Sequence, residues 1–562
     1  MIHLLVFSLA AGVLSALLAV PFSRKLGTEE KGGGTGLRAG LFVSAAVLLT
    51  AGIAVFYYTT SLDQHWSSLW ALILAAAIIG TAADTGMMRK LKGIAAVLAA
   101  GAGIYVLTAP LFNADTKYEA VEMDQQVEIE AFDETKTPAS VPPKFARNKM
   151  KKAFGQVPDT SYYDLGHLQI QKVKDDFVYI APVEFSGFFK WWNGKTTPGY
   201  FRMSATDSAD NPKFIASEMT YTETSYFNKQ VGRHMRLEFP DLIFYGDVQL
   251  EIDDDGNPHY IRSYGDFITA RNGFDVKGII MTDPMTGESE KFPLAEIPDY
   301  IDGAVSPQAV SLQNSYFGKY IHGFWNSVVG KKDVKLPSDE GTEANVSPIF
   351  SEDGRMYYFT DFTSPKEGVD SMLGYSLTDG RTGKGTYYTG DLEESYMDSQ
   401  GALQIIEKKF IEKKWSGEMP VLYNFYGEAS WLVPVLDSNG FLQNYFIVSA
   451  ANPEISVYGN SPKDALKLYK TALQRGGSSV EGSSNSAEAK AAITVKRVYK
   501  ESAGDYTIVS VKSSDGRNFL ISTESVPEAV YIQEGDKLAI TYQETGELFL
   551  PVKEMTNISL GE

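Results

Sequence analysis

No cysteine occurs in the 562 residues. That excludes disulfide bridges, thiolate metal sites and a cysteine nucleophile, and it suits a cell-surface domain that folds without oxidative machinery. Histidine is nearly as scarce. The six, His3, His65, His167, His234, His259 and His322, form neither HxxxH nor HExxH nor any other metal spacing, so neither a metal site nor a cofactor is expected. There is no Gly-x-Ser-x-Gly elbow, and spacing alone singles out no carboxylate pair for hydrolysis. Basic residues are short too, with 51 Lys and Arg against 70 Asp and Glu. The shortfall lies beyond residue 112, since residues 1–112 carry +3 and residues 113–562 carry -22. A domain this acidic repels nucleic acid and anionic lipid, so no nucleic-acid partner is expected.

Charge is also nearly missing from four apolar runs at the start, residues 4–20, 40–59, 69–85 and 94–112. Each is near the ~20 residues that cross a bilayer as a helix. The first lacks a basic n-region, which argues against a cleaved signal peptide. Loop one holds Arg24, Lys25, Lys31 and Arg38, and loop three holds Arg89, Lys90 and Lys92, whereas the loop at residues 61–68 has no Lys or Arg. Basic loops stay cytoplasmic. The expectation is a multi-pass cell-membrane protein with both termini and the acidic domain extracytoplasmic. Tyr57, Tyr58, Trp66 and Trp70 fall near one interface, where amphipathic rings belong. Asp84 is the lone acid inside a run. It reads as an ion site or, in preference, as an interfacial carboxylate beside Arg89 and Lys90. Ala96, Ala100, Gly101 and Gly103 let helices approach closely. The bundle reads as an anchor.

The remainder divides by composition. Residues 113–141 are polar and acidic and read as a stalk, 142–475 as four repeated α+β units, 476–490 as a Gly/Ser linker, and 491–562 as a small all-β barrel of the OB or SH3-like kind. The repeat is visible in Gly278-Ile-Ile-Met-Thr-Asp-Pro-Met-Thr-Gly287 and Gly374-Tyr-Ser-Leu-Thr-Asp-Gly-Arg-Thr-Gly383, and again in Tyr179-Ile-Ala-Pro-Val183 and Trp431-Leu-Val-Pro-Val435. Units one and four pair by this measure, as do two and three. A helix precedes the strands of each unit, at residues 144–154, 225–236, 307–324 and 403–414, and a fifth closes the series at 462–473. Ser306-Pro307 and Ser461 with Asp464 supply start signals. Asp255-Gly256, Asp353-Gly354, Asn439-Gly440 and Asp515-Gly516 mark hairpin turns. The fold class is thus a four-helix transmembrane anchor, repeated helix and antiparallel-sheet units, and a C-terminal β-barrel.

A helix, then strands, then Thr282-Asp-x-x-Thr-Gly287 or Thr378-Asp-x-x-Thr-Gly383 resembles the PepSY-type module. The resemblance implies small extracytoplasmic α+β domains that act as inhibitory or chaperone-like partners of secreted peptidases, or as envelope sensors. It carries over no catalytic residue. Units one and four depart from it, having Ser204-Ala205 and Ser449-Ala450 in place of the Thr-Gly turn.

Two further motifs read as turns. Glu251-x-Asp253-x-Asp255-Gly256 opens like a calcium loop, but Arg262 stands where the bidentate Glu belongs. Gly383-Lys-Gly-Thr386 lacks the Ser or Thr that must follow a phosphate-loop Lys. The distinctive stretch is residues 185–200, FSGFFKWWNGKTTPGY. Unit one is seven residues longer here than unit four, from Pro182 to Ser204 against Pro434 to Ser449. Phe188, Phe189, Lys190, Trp191, Trp192 and Lys195 are the candidate partner-binding residues, because aromatics dominate binding hot spots. The same residues suit a membrane interface or packing between repeats. Residues 320–326 read as core. The function expected is non-enzymatic binding of a protein, peptide or envelope component, in a regulatory or scaffold role. The alternatives are an envelope hydrolase or peptidase-associated enzyme, and an accessory subunit of a larger membrane complex.

Overall fold

The computed structural model describes residues 1–23, 33–127, 140–351, 354–366, 368–390, 395–476, 488–503, 506–523, 526–543 and 549–560. Arg24, Lys25, Lys31, Asp353 and most of the Gly/Ser linker lie outside these.

Helices α1 (Ile2–Ala19), α2 (Gly33–Thr60), α3 (Trp70–Ala83) and α4 (Gly86–Phe112) follow the apolar runs. All four are long and apolar enough to cross a membrane, α3 with the 3-10 turn Trp66–Leu69 ahead of it. Contacts of α1 with α2, α1 with α3 and α3 with α4 set the row α2-α1-α3-α4. Glycines make these approaches possible. A methyl group on Gly12 would meet the Thr50 backbone, one on Gly80 the carbonyl of Leu18, and one on Gly103 the ring of Trp70. Of the small residues picked from sequence, Gly103 is in such a seam, whereas Gly101 faces open space.

Asp84 sits at the α3–α4 corner, but its cation is Lys92 at 2.7 Å and not Arg89 or Lys90. It also accepts from the amides of Phe22 and Ser23, while Lys92 donates to the Val20 carbonyl at 2.6 Å. The carboxylate thereby satisfies backbone donors where α1 ends, and it ties α1 to the α3–α4 hairpin.

The described residues of the expected stalk carry regular structure. Ala114–Glu119 forms α5, and Met123–Gln126 adds as a parallel strand to Gly385–Tyr388 of unit three. Tyr118 stacks on Phe317. The chain therefore passes from the four apolar helices directly onto the third unit.

Four sheets share a common five-strand topology, to which the sheet of unit three adds Met123–Gln126 and the short Tyr396–Met397. Unit one has α6 (Pro143–Ala153) and strands Tyr163–Leu165, Gln169–Val173, Asp176–Phe185, Thr197–Ser204 and Lys213–Met219, with α7 (Phe188–Gly194) inserted after the third. Unit two has α8 (Val231–Glu238) and strands Ile243–Phe244, Gln249–Ile252, Pro258–Asp266, Asp275–Thr282 and Ser289–Pro293. Unit three has α9 (Pro307–Lys319), the short α10 (Gly323–Trp325), and strands Leu336–Pro337, Ser347–Phe350, Met356–Thr363, Ser371–Asp379 and Gly385–Tyr388. Unit four has α11 (Ser399–Lys409) and strands Ser416–Gly417, Val421–Phe425, Glu428–Leu436, Leu442–Ser449 and Ser456–Gly459, followed by α12 (Pro462–Gly476).

In every unit the first two strands line up along one edge of the long third strand, the first at its C-terminal end and the second on its N-terminal half. Where one short strand gives way to the other, a third-strand carbonyl accepts a connecting amide: Gly166 to Pro182, Tyr245 to Ser263, Ser338 to Asp361 and Glu418 to Pro434. This explains proline in the middle of a sheet, since Pro182 and Pro434 fall outside the pairings of both short strands. Sequence paired units one with four and two with three; by topology the four are equivalent. The Thr-Asp-x-x-Thr-Gly turns are superimposable in their bonding. Asp283 accepts the amides of Met285 and Thr286, and Asp379 those of Arg381 and Thr382.

Three helices differ from expectation. The one placed at residues 225–236 begins only at Val231, because Ser225 bonds back to the Thr220 carbonyl and the Val231 amide to Thr222, leaving Gln230 as the cap. α9 stops at Lys319, short of residue 324, and Gly323 turns with φ at +77°. α11 begins at Ser399, capped by Asp398 on the Gly401 amide. The Ser306 cap and the Ser461–Asp464 pair form as read.

The units close into a ring. Unit one shares a core with unit two (Val178, Ile180, Val231, Tyr260), unit two with three (Phe274, Val276, Val310, Met356), unit three with four (Phe359, Leu377, Trp431, Phe446), and unit four returns to one through Leu436 against Phe145, Ala146 and Val183. Arg381 of unit three donates to the carbonyls of Ile297, Pro298, Asp299 and Ile301, the link leading out of unit two.

A closed five-stranded barrel ends the chain, with strands Glu488–Ala503, Tyr506–Ser513, Asn518–Ser522, Lys537–Gln543 and Phe549–Asn557. Its order is first, second, third, fifth, fourth, with the third and fifth parallel. The fifth strand was not read from sequence. The first pairs with the fourth strand before its bulge at Val495 and with the second after it.

Candidate functional site

Unit two seats the β-rich region on the helices, at the end carrying the loop of residues 61–68. Arg271 makes a bidentate pair with Asp63 at 2.7 and 2.8 Å. Arg236 donates to the Ser61 carbonyl, Arg233 to that of Tyr58, and the Gln64 amide to Pro240. His65 meets the Asp241 carbonyl at 2.8 Å. Burial pushes the Asp63 carboxyl up, but Arg271 outweighs it and holds the group below the usual carboxylate range. A loop without cations thus receives two arginines, Arg236 and Arg271, from a distant part of the chain, and Arg233 joins them at the end of α2.

The aromatic insertion lies beside this joint. α7 presents its residues in two layers. Trp191 is 8% exposed, and its ring centroid is 5.4 Å from that of Tyr226 and 5.8 Å from that of Phe227. Phe188 meets Tyr226 edge-on at 5.0 Å. These two candidates are packing, the inner layer that fixes the helix on unit two. The outer layer is open, with Phe189 at 79% and Trp192 at 58% exposure and Lys195 exposed beyond them. Lys190 is half-buried and donates to Ser186 at 2.5 Å. Tyr226 and Phe227 complete the patch, and Phe227 is 52% exposed. Sequence missed them because they were assigned to a helix. Adjacent Asn228 accepts a 2.9 Å bond from the hydroxyl of Tyr58, at the end of α2.

The buried carboxylates Glu184, Glu251 and Asp302 are engaged by partners inside the fold. Fully buried Glu184 accepts from the Thr224 amide and the Tyr260 hydroxyl, joining unit one to two. Glu251 accepts from the amides of Asp302 and Gly303, and Asp302 from that of Lys172. Burial raises both acids. Burial also pushes Glu343 up to about 7. Glu251 and Glu343 border a cavity of only 20 Å³, room for about one water. Asp253 spends its oxygens on Asp255 and Asn257, which closes a turn where a calcium loop was weighed. Among the described residues no group of His, Asp or Glu is placed to hold a metal ion. Larger grooves of 250 Å³ and 330 Å³ lie beside the Lys144–Glu418 ion pair and between α12 and the barrel.

Set against family models, curated proteins and solved structures, the chain matches none.

Proposed function

We propose that this chain is a non-enzymatic, multi-pass membrane protein whose ring of four units stands on the extracytoplasmic side and binds a protein, peptide or envelope component. The observation that carries the reading is the outer layer of α7: Phe189 and Trp192 are open to solvent on a base made rigid by Trp191, Phe188 and Tyr226. Exposed aromatics are an economical way to bind, because a side chain with only two rotatable bonds has little freedom to lose. The PepSY-type resemblance points the same way, toward a regulatory or scaffold role. The barrel's strand order is that of an OB-type barrel, whose faces bind oligomeric ligands, and it supplies a second contact on its Gly/Ser tether. The sealed carboxylates weigh against a hydrolase. An accessory-subunit role draws support from Gly40 and Gly52 of α2 and Gly101 of α4, which face open space along the helices.

Sidedness rests on the basic loops and is tested first. With no native cysteine, Ser484→Cys and Gly34→Cys report cleanly to a membrane-impermeant maleimide on intact cells. Labelling at 484 alone is expected. Labelling at 34 alone would place the ring in the cytoplasm and end the envelope reading.

A further inference from the structure

We propose that the β-rich region stands on the lipid bilayer through two feet, one at each end of the helix row; this deepens the reading above by naming lipid as the envelope component that the outer layer of α7 meets, and it rests on that reading for which leaflet is meant. The first foot is the outer layer of α7 with Phe227. It sits one residue from Asn228, which is bonded to Tyr58 where α2 leaves the apolar zone. The second foot is in unit three. After Gly323 the chain makes α10 and a π-turn over Asn326–Gly330. α10 packs against both α4 and α5, hence at the junction where α4 leaves the apolar zone. There Trp325 is 68% and Val329 77% exposed, with Val328 open between them. Sequence placed Trp325 in the core, and the structure turns it outward. Since α2 and α4 end the row, the feet lie on opposite flanks of the membrane helices.

Lipid is the occupant that both patches fit. Each pairs indole and apolar groups with exposed lysines: Lys195 at the first, Lys331 and Lys332 at the second. Tryptophan prefers the headgroup level, and lysine can bury its stem while its ammonium stays wet. Each foot is also continuous with a helix end that itself meets lipid. The net charge of -22 beyond residue 112 repels an anionic surface, so the rings hold the contact and the lysines offset repulsion locally. Zwitterionic lipid therefore suffices.

The test uses the full chain in phosphatidylcholine vesicles, with Asn193→Cys or Val329→Cys carrying an environment-sensitive fluorophore. Phe112→Cys at the end of α4 and Tyr531→Cys on the barrel are the lipid and water references. Blue-shifted emission and at least twofold quenching by lipids brominated near the headgroup are expected at both 193 and 329. Water-like, unquenched emission at either position overturns the two-footed stance. A photo-crosslinker at 193 that captures a protein in place of lipid overturns it too, while leaving the binding function intact. Lipid contact at both feet with the maleimide pattern inverted would sink the extracytoplasmic reading alone.

Discussion

Trp191 and Trp192 are neighbours with opposite assignments. One anchors α7 on unit two and the other faces out. Composition marks both as aromatic, and only the helix phase separates them. Asp361 is an acid that the ring encloses. It is fully buried and accepts the Ser399 amide at 3.0 Å. Burial pushes its carboxyl up to about 6, from an ordinary value of 3.8. With the folded value raised, its contribution to stability is complete below the unfolded value and disappears as pH rises through 6. The penalty at pH 8 is about 3 kcal/mol. Thermal melts of the detergent-solubilised protein at pH 5 and pH 8 should show the loss, and Asp361→Asn should flatten the slope. Equal slopes for both proteins would refute this account.

At the scale of elements, termini followed local chemistry where a cap was present and failed where a distant bond intervened. The Ser306 and Ser461 starts were legible. The 225–236 helix was not, because Ser225 and Thr222 are engaged by backbone groups outside it. The strand at Met123–Gln126 was invisible for a similar reason: its partner lies more than 250 residues away. The joint between unit two and the loop of residues 61–68 is the element on which the seating of the β-rich region on the apolar helices depends. Asp63 and Arg271 have side chains only 6% and 16% exposed. Removing one partner of such a pair costs about 3–5 kcal/mol, since the other is left buried and uncompensated. Arg271→Ala should therefore speed amide exchange in residues 61–68 and 233–241 and leave the barrel unchanged. Uniform exchange behaviour would mean that the joint is not a local hinge point.

For the whole molecule, the ring is the property that matters most. Four units stacked as an open array would unfold from their ends. Here the last packs on the first through Leu436, which is fully buried among residues of unit one. Leu436→Ala should cost about 2–5 kcal/mol. It should also expose α6 to proteolysis, although the two lie nearly 300 residues apart. A variant in which only unit four loosens would show that closure carries no energy.

The sequence by itself determined the apolar helices, the charge contrast between anchor and domain, the repeat and the turns, because each is written in neighbouring residues by period, composition or capping. The candidate patch was half legible: its residues were named, but not which of them are exposed nor that Phe227 joins them. Only tertiary structure decided the common topology of the four units, the closure of the ring, the Asp63–Arg271 seat and the outward turn of Trp325. Those depend on which distant surfaces meet, and burial of apolar area is indifferent to separation along the chain.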